Sequence, residues 1–348
     1  MAGAKLKIAC IAGTCYPCNP DVYGSEVQLA LLANELGKLG HEVTLYAATK
    51  SIKGKYRLRL LPCSWGRLSY SIENLITLYL DELLEHDYVI DGSPLCMFCE
   101  QIWFWHRDWL RNHVLVYYRN GTHSFNPRPP VNYNIHGVWL SNSAVEAMQP
   151  FKLPRELCHV IHYGINLDWY RPGNAKEDYI LYLGAPRREK GIFSILEVAR
   201  LLPDQRFVFA WKAFSEEHKR IEQEWLTKAK DLPNVEHVEY ETLKEKVKLL
   251  QRAKCFIQLI EPDYVEAFGL AISEALACGT PVILMNRPCH KELFSGIAYF
   301  VGSVEEAAKL IQRDEWPTPE QCHSFIKERY SLRRYAESFL KLYESLAK

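Results

Sequence analysis

Short apolar runs alternate with turns and amphipathic stretches along most of the chain. Residues 6–12 (LKIACIA) predict a strand, and residues 25–39 (SEVQLALLANELGKL) a helix with Leu29, Leu32, Ala33 and Leu36 on one face. Residues 42–48 (EVTLYAA) predict the next strand, so the three form a βαβ unit with parallel pairing and a right-handed crossover. Further strands are expected at 88–91, at 114–118 and, after a proline-rich loop at 126–130, at 138–140.

A second series of the same kind begins near residue 178. It reads as strand 179–185, helix 192–202, strand 206–211, charged helix 216–232, strand 254–260, helix 267–279 and a strand over PVILM. Two such series predict an α/β protein of two doubly wound, Rossmann-like domains facing a central cleft. The join is expected within 164–173 (GINLDWYRPG), which puts the first domain at 1–165 and the second at 166–330. The amphipathic stretch 332–346 follows completion of the second sheet.

Composition narrows the function classes. Hydrophobic residues are 48% and charged residues 24%, the values of a globular protein. Lys plus Arg and Asp plus Glu are both 42, and the balance holds within residues 1–170 as well as beyond them, so no basic arm recruits nucleic acid. No apolar run reaches the roughly 18 to 20 residues of a membrane span. The first apolar stretch closes at Gly13-Thr14, too soon for a signal peptide, and a cytoplasmic location is expected. Cys15 with Cys18, and Cys96 with Cys99, share CxxC spacing, which leaves packed thiols and a disulfide or redox pair both open. Trp103, Trp105 and Trp109, with Arg107 and Arg111, would make an aromatic, partly cationic face for peripheral membrane contact; packing into the core is the favoured reading.

In open parallel sheets ligands bind beyond the carboxyl ends of strands, so the loops that follow strands carry the chemistry. Gly24 and Ser25 open the first helix, where backbone N–H groups and the helix dipole favour an anion. GxGxxG is absent, against a dinucleotide-dependent oxidoreductase. GAPRREKG (184–191) places Arg187, Arg188 and Lys190 after a strand, three cations suited to a diphosphate. In the stretch 261–282, Glu266 precedes a helix and Glu274 lies inside it; if both were helical they would stand about 12 Å apart along the axis, long for a hydrolase's paired carboxylates. Phe268, Gly269 and Leu270 between them offer N–H groups at a helix start, a phosphate seat. The apolar neighbours of Glu274 bury it, so its carboxylate needs a partner.

The stretch from Glu266 to Glu274, followed by ALACGTPV, resembles the E-x7-E signature of retaining glycosyltransferases of family four, which have the two-domain GT-B fold. The resemblance runs along almost the whole chain. Tyr23-Gly24-Ser25-Glu26 is similar to the family's Gly-Gly-x-Glu loop, Asn142-Ser143 and HYGINLDWYRP (162–172) to its interdomain signatures, GAPRREKG to its phosphate loop, and 288–293 with Glu292 to its segment after the next strand. YYRNGTHSF (117–125) stands in place of a His-Gly-Thr-Asp loop, with Asn120 where the histidine and His123 where the aspartate would be. Tyr23 and Ala185 depart from a family Gly and Arg.

The resemblance implies transfer of a sugar from a nucleoside diphosphate sugar to a hydroxyl acceptor (glycan, lipid or small molecule), with retention and without a metal or cofactor. The donor expected is a UDP-sugar, with a GDP-sugar as the alternative. Glu266 would face the sugar, with Asn120 and His123 as the other catalytic candidates. Glu274 would hold the ribose, while Lys190 with a neighbouring Arg and the N–H groups of Gly269 and Leu270 would hold the diphosphate. The first domain would serve the acceptor and the second the donor, with the last helix, 331–348, crossing back onto the first and counted with it. The alternatives are a non-catalytic nucleotide-sugar binding protein, or an epimerase or phosphorylase, on the same fold.

Overall fold

The computed structural model describes residues 4–12, 17–21, 24–48, 50–61, 68–118, 128–148, 151–173, 175–313 and 315–347. The chain divides into two compact units, Met1–Gly164 with Leu332–Lys348, and Ile165–Ser331.

The first unit opens with strand β1 (Lys7–Ile11), helix α1 (Gly24–Lys38) and strands β2 (Glu42–Ala48) and β3 (Arg57–Leu61). Helix α2 (Leu68–Leu84), strand β4 (Tyr88–Asp91), helix α3 (Met97–His113) and strand β5 (Val114–Tyr117) follow. Helix α4 (Arg128–Tyr133), strand β6 (Gly137–Trp139), helix α5 (Asn142–Glu146) and strand β7 (Cys158–Val160) complete this stretch. Among the described residues the sheet has seven parallel strands in the order β3-β2-β1-β4-β5-β6-β7. After its first residue every position of β1 and β2 is buried, as expected of strands covered on both faces.

The second unit runs β8 (Tyr179–Leu183), α6 (Ile192–Leu201), β9 (Arg206–Ala210), α7 (Glu216–Ala229), β10 (Val235–Val238) and α8 (Leu243–Arg252). It continues through β11 (Cys255–Gln258), α9 (Leu270–Ala277), β12 (Val282–Met285), α10 (Pro288–Phe294), β13 (Tyr299–Val301), α11 (Val304–Ile311) and α12 (Pro319–Arg329). Its sheet has the order β10-β9-β8-β11-β12-β13 and is parallel throughout. The chain therefore steps outward from β8 to β10 and returns to the other side of β8. This reversal is the switch point at which open α/β sheets hold ligands. Trp211 and Trp225, packed edge to face with centroids 4.9 Å apart, sit in the core with Tyr182, Phe207 and Phe209.

Helix α13 (Leu332–Leu346) belongs to the first unit, where it packs on α1. Its Tyr335 shares a 2.7 Å hydroxyl hydrogen bond with Tyr117, and Tyr343 stacks on Tyr88 at 3.7 Å.

Three sequence expectations change. The helix expected at 267–279 is only α9, so Glu266 and residues 267–269 lie in the loop before it. The helix expected at 216–232 ends at Ala229, and β10 and α8 fill the stretch after it. Residues 97–113 form a helix that leaves Trp105 77% exposed, against the favoured core-packing reading, while Trp103 and Trp109 are half-buried. Cys96 and Cys99 are buried free thiols, the latter donating to Asp91 Oδ2 at 3.1 Å. Cys15 lies outside the described residues.

Candidate functional site

Three neighbouring strands of the second unit, β8, β11 and β12, deliver side chains at their carboxyl ends. The loop after β8 makes one turn of 3-10 helix at Arg188–Lys190 and ends on Gly191, with φ of 77°. A Cβ at Gly191 would sit 1.8 Å from the Leu259 carbonyl oxygen, so only glycine lets this turn lie against the end of β11. The Glu261 N–H donates to the Glu189 carbonyl at 3.0 Å and locks the two loops together. That contact brings Lys190 onto Glu266, 76 positions away in sequence: the ammonium donates to Glu266 Oε2 and lies 5.0 Å from the Tyr264 ring centroid. Gln258, the last residue of β11, donates to the same oxygen at 3.2 Å.

Both charges are held. Burial by itself would push the Lys190 ammonium down, but the Glu266 charge outweighs it and raises the Lys190 pKa above the usual lysine value. Burial would likewise raise Glu266, and the Lys190 charge and hydrogen bond overcome it and hold the carboxyl below its usual range. From α10, the helix after β12, comes His290, fully buried and close enough for the Glu266 charge to act on it. Its Nδ1–H donates to the Met285 carbonyl at 2.9 Å, which leaves Nε2 as the unprotonated nitrogen. That atom, Gln258 Oε1 and Ser273 Oγ are buried without a hydrogen-bond partner among the described residues.

Helix α9 starts beside this pair. Its N-cap, Gly269, has φ of 76°, a conformation that side-chain-bearing residues seldom adopt. The first turn from Leu270 leaves N–H groups without acceptors inside the helix, so its positive end faces the loop that carries Glu266. Glu274, in the middle of α9, is 4% exposed. Its Oε1 accepts from the Tyr170 hydroxyl at 2.7 Å and its Oε2 pairs with Lys246 of α8 at 2.6 Å.

The remaining candidates are dispersed. Arg187 pairs with Glu189 and lies 5.8 Å from the Tyr264 ring centroid, beside the Lys190 turn. Arg188 pairs with Glu224 of α7 and covers Phe193, so of the three loop cations Lys190 alone pairs with Glu266. Phe268 is buried edge-on against Tyr330 at 5.1 Å. In the first unit Gly24 is the first residue of α1, and the Ser25 hydroxyl donates to Glu26 at 2.7 Å; the helix starts one residue before Ser25, which is therefore not its N-cap. Asn120, His123 and Tyr23 lie outside the described residues. Sequence reading missed Lys246, Tyr170, Gln258 and His290 as site residues. Gln258 carried a signal, being the lone polar residue in the apolar run CFIQLI.

Residues 170–329, which fall wholly within the second unit, match the family model for glycosyl transferases group 1. A curated relative, D-inositol 3-phosphate glycosyltransferase 1 of Catenulispora acidiphila, is 29% identical over 165 residues. The matched stretch spans 41% of this chain and 40% of that relative's length. Among solved structures, Anabaena HepE in complex with UDP-glucose aligns with a TM-score of 0.75 at 15% identity, covering 98% of this chain and 100% of that one. A glycosyltransferase from Rickettsia africae aligns at 0.73 and 17% identity, covering 99% and 100%. These likenesses, at low identity, concern the architecture: both units have the Rossmann-like parallel sheets of the GT-B fold.

Proposed function

We propose that the protein is a retaining, metal-independent glycosyltransferase that moves a sugar from a nucleoside diphosphate sugar, a UDP-sugar first, to a hydroxyl acceptor. The observation that carries the reading is the Lys190–Glu266 pair beside the amino terminus of α9, at the switch point of the unit that matches the family model. Transfer breaks the bond between the sugar's anomeric carbon and the diphosphate, and both electrons leave with the phosphate oxygen. The acceptor oxygen bonds to that carbon and gives its proton to the departing phosphate oxygen. Lys190, Arg187 and the first N–H groups of α9 are the groups that would stabilise the departing charge, a task that cations and a helix end perform without a metal ion. Glu266 would face the sugar as positive charge develops there, and Glu274 would accept from the ribose hydroxyls. The relative solved with UDP-glucose supports the choice of donor. Retention rests on the Glu266-to-Glu274 spacing that resembles the family signature. Phe104 and Trp105 on α3, 84% and 77% exposed beside exposed Arg107, support peripheral contact with a lipid surface carrying the acceptor.

The test separates the two glutamates. Glu274→Gln should weaken binding of UDP and of the whole donor alike, by about 1.5 to 3 kcal/mol. Glu266→Gln should leave UDP affinity nearly unchanged and lower the transfer rate, because its contact matters most in the transition state. Calorimetry with UDP, beside kinetics in EDTA and melting curves for both variants, distinguishes these outcomes. Equal loss of UDP affinity in both would refute the division of labour, and loss of wild-type transfer in EDTA with recovery in Mn²⁺ would refute metal independence.

A further inference from the structure

Glu274 sits in a closed buried triad whose other members come from two distant segments. Tyr170 lies in the first turn of the second unit, where its N–H bonds the Asn166 carbonyl at 3.1 Å. Lys246 lies on α8, whose start is fixed by a capping box between Thr242 and Glu245. The Gln251 side chain ties α8 to that first turn by donating to the Arg171 carbonyl at 2.8 Å. Within this frame Lys246 Nζ donates to the Tyr170 hydroxyl at 3.4 Å, and both groups bond Glu274, one to each oxygen. Tyr170, Lys246 and Glu274 are all buried.

A carboxylate inside an apolar helix packing would ordinarily be avoided or left neutral. Here a dedicated cation compensates it. Burial would push the Lys246 ammonium down, but the Glu274 charge overrides it and raises its pKa. An ionised carboxylate accepts about four hydrogen bonds, and the triad uses two, so acceptor positions remain on a group whose rotamer is already set.

We infer that Tyr170 and Lys246 are positioning residues for nucleotide recognition: by bonding one oxygen each they fix the orientation of the Glu274 carboxylate so that its remaining lone pairs meet the two ribose hydroxyls. This rests on the reading of Glu274 as the ribose carboxylate. A preset acceptor spares the ligand the cost of ordering it, so the triad acts on discrimination for the hydroxyls rather than on phosphate affinity.

Calorimetry on the full chain with UDP and with its 2′,3′-dideoxy analogue tests the assignment. Wild type should prefer UDP by about tenfold or more, the scale of one well-placed hydrogen bond to a charged group. Tyr170→Phe and Lys246→Met should lose most of that preference while binding the dideoxy analogue within about twofold of wild type. Variants that weaken on both ligands in the same proportion, preference intact, would show a packing role alone and overturn the inference while the reading of Glu274 stands. Absence of preference in wild type would overturn the reading of Glu274, and the inference with it. Should Lys246→Met fail to fold, Tyr170→Phe, which removes one oxygen atom, decides the question.

Discussion

His290 shows how one side chain couples the site to acidity. Burial, the largest influence on it, holds its pKa down to about 4, partly offset by the bond to the Met285 carbonyl and by the Glu266 charge. In the unfolded chain a histidine titrates near 6.5. Between these values the unfolded state binds a proton that the folded state does not, so stability rises with pH from about 4 to about 6.5 and is lost on acidification. The full window amounts to about 3 kcal/mol for a group this deeply buried. His290→Asn, which keeps a donor for the Met285 carbonyl, should flatten the dependence of the urea midpoint on pH across that range. Parallel curves for variant and wild type would show that the acid loss originates elsewhere, His159 being the next candidate, since burial and His136 also bring its pKa to about 4.

At the scale of elements, the central strands were legible because buried parallel strands read as short apolar runs: β2 and β4 have the predicted bounds, and so does α13. Elements at the margins were not. The edge strand β10 (VEHV) is half-buried at every position and shows neither a run nor a clean alternation. The candidate site divides in the same way. The loop residues around Lys190 and Glu266 were legible from motif order, whereas the Tyr170–Glu274 bond joins positions 104 apart and leaves no local pattern. Helix α3 carried a signal whose meaning depended on its surroundings. Trp103 stacks on Tyr133 at 4.1 Å and has the Arg111 guanidinium 5.1 Å from its ring centroid, yet the adjacent Phe104 and Trp105 rings contact each other edge to face at 6.4 Å and remain in solvent. Arg107 and Asp108 are exposed beside them, and the helix geometry breaks at His106. Phe104→Ala combined with Trp105→Ala should cut co-sedimentation with anionic phosphatidylglycerol vesicles by about tenfold or more, with little change in melting temperature. Unchanged vesicle binding would remove α3 from the lipid contact.

For the whole molecule, the decisive feature is that the first unit is built from both ends of the sequence while the second is one continuous stretch. Helix α13 contributes Tyr335, Ala336, Phe339 and Tyr343, each at most 2% exposed, to the first unit. The three aromatic rings alone are worth about 2 kcal/mol each, a large part of the roughly 5 to 15 kcal/mol that stabilises a typical domain. A chain cut after Ser331 should therefore lose the first unit and keep the second. Limited proteolysis would then yield a resistant fragment close to Ile165–Ser331, and an equally resistant amino-terminal fragment would show that α13 is dispensable. The same interleaving orders events on the ribosome. The second unit can complete its fold while the chain is still growing, but the first, although translated earlier, must wait with the face of α1 bare until α13 emerges. Nascent chains of this protein thus carry an exposed apolar face from the emergence of α1 until that of α13, and slowing translation just ahead of α13 would lengthen the interval in which a chaperone must guard it.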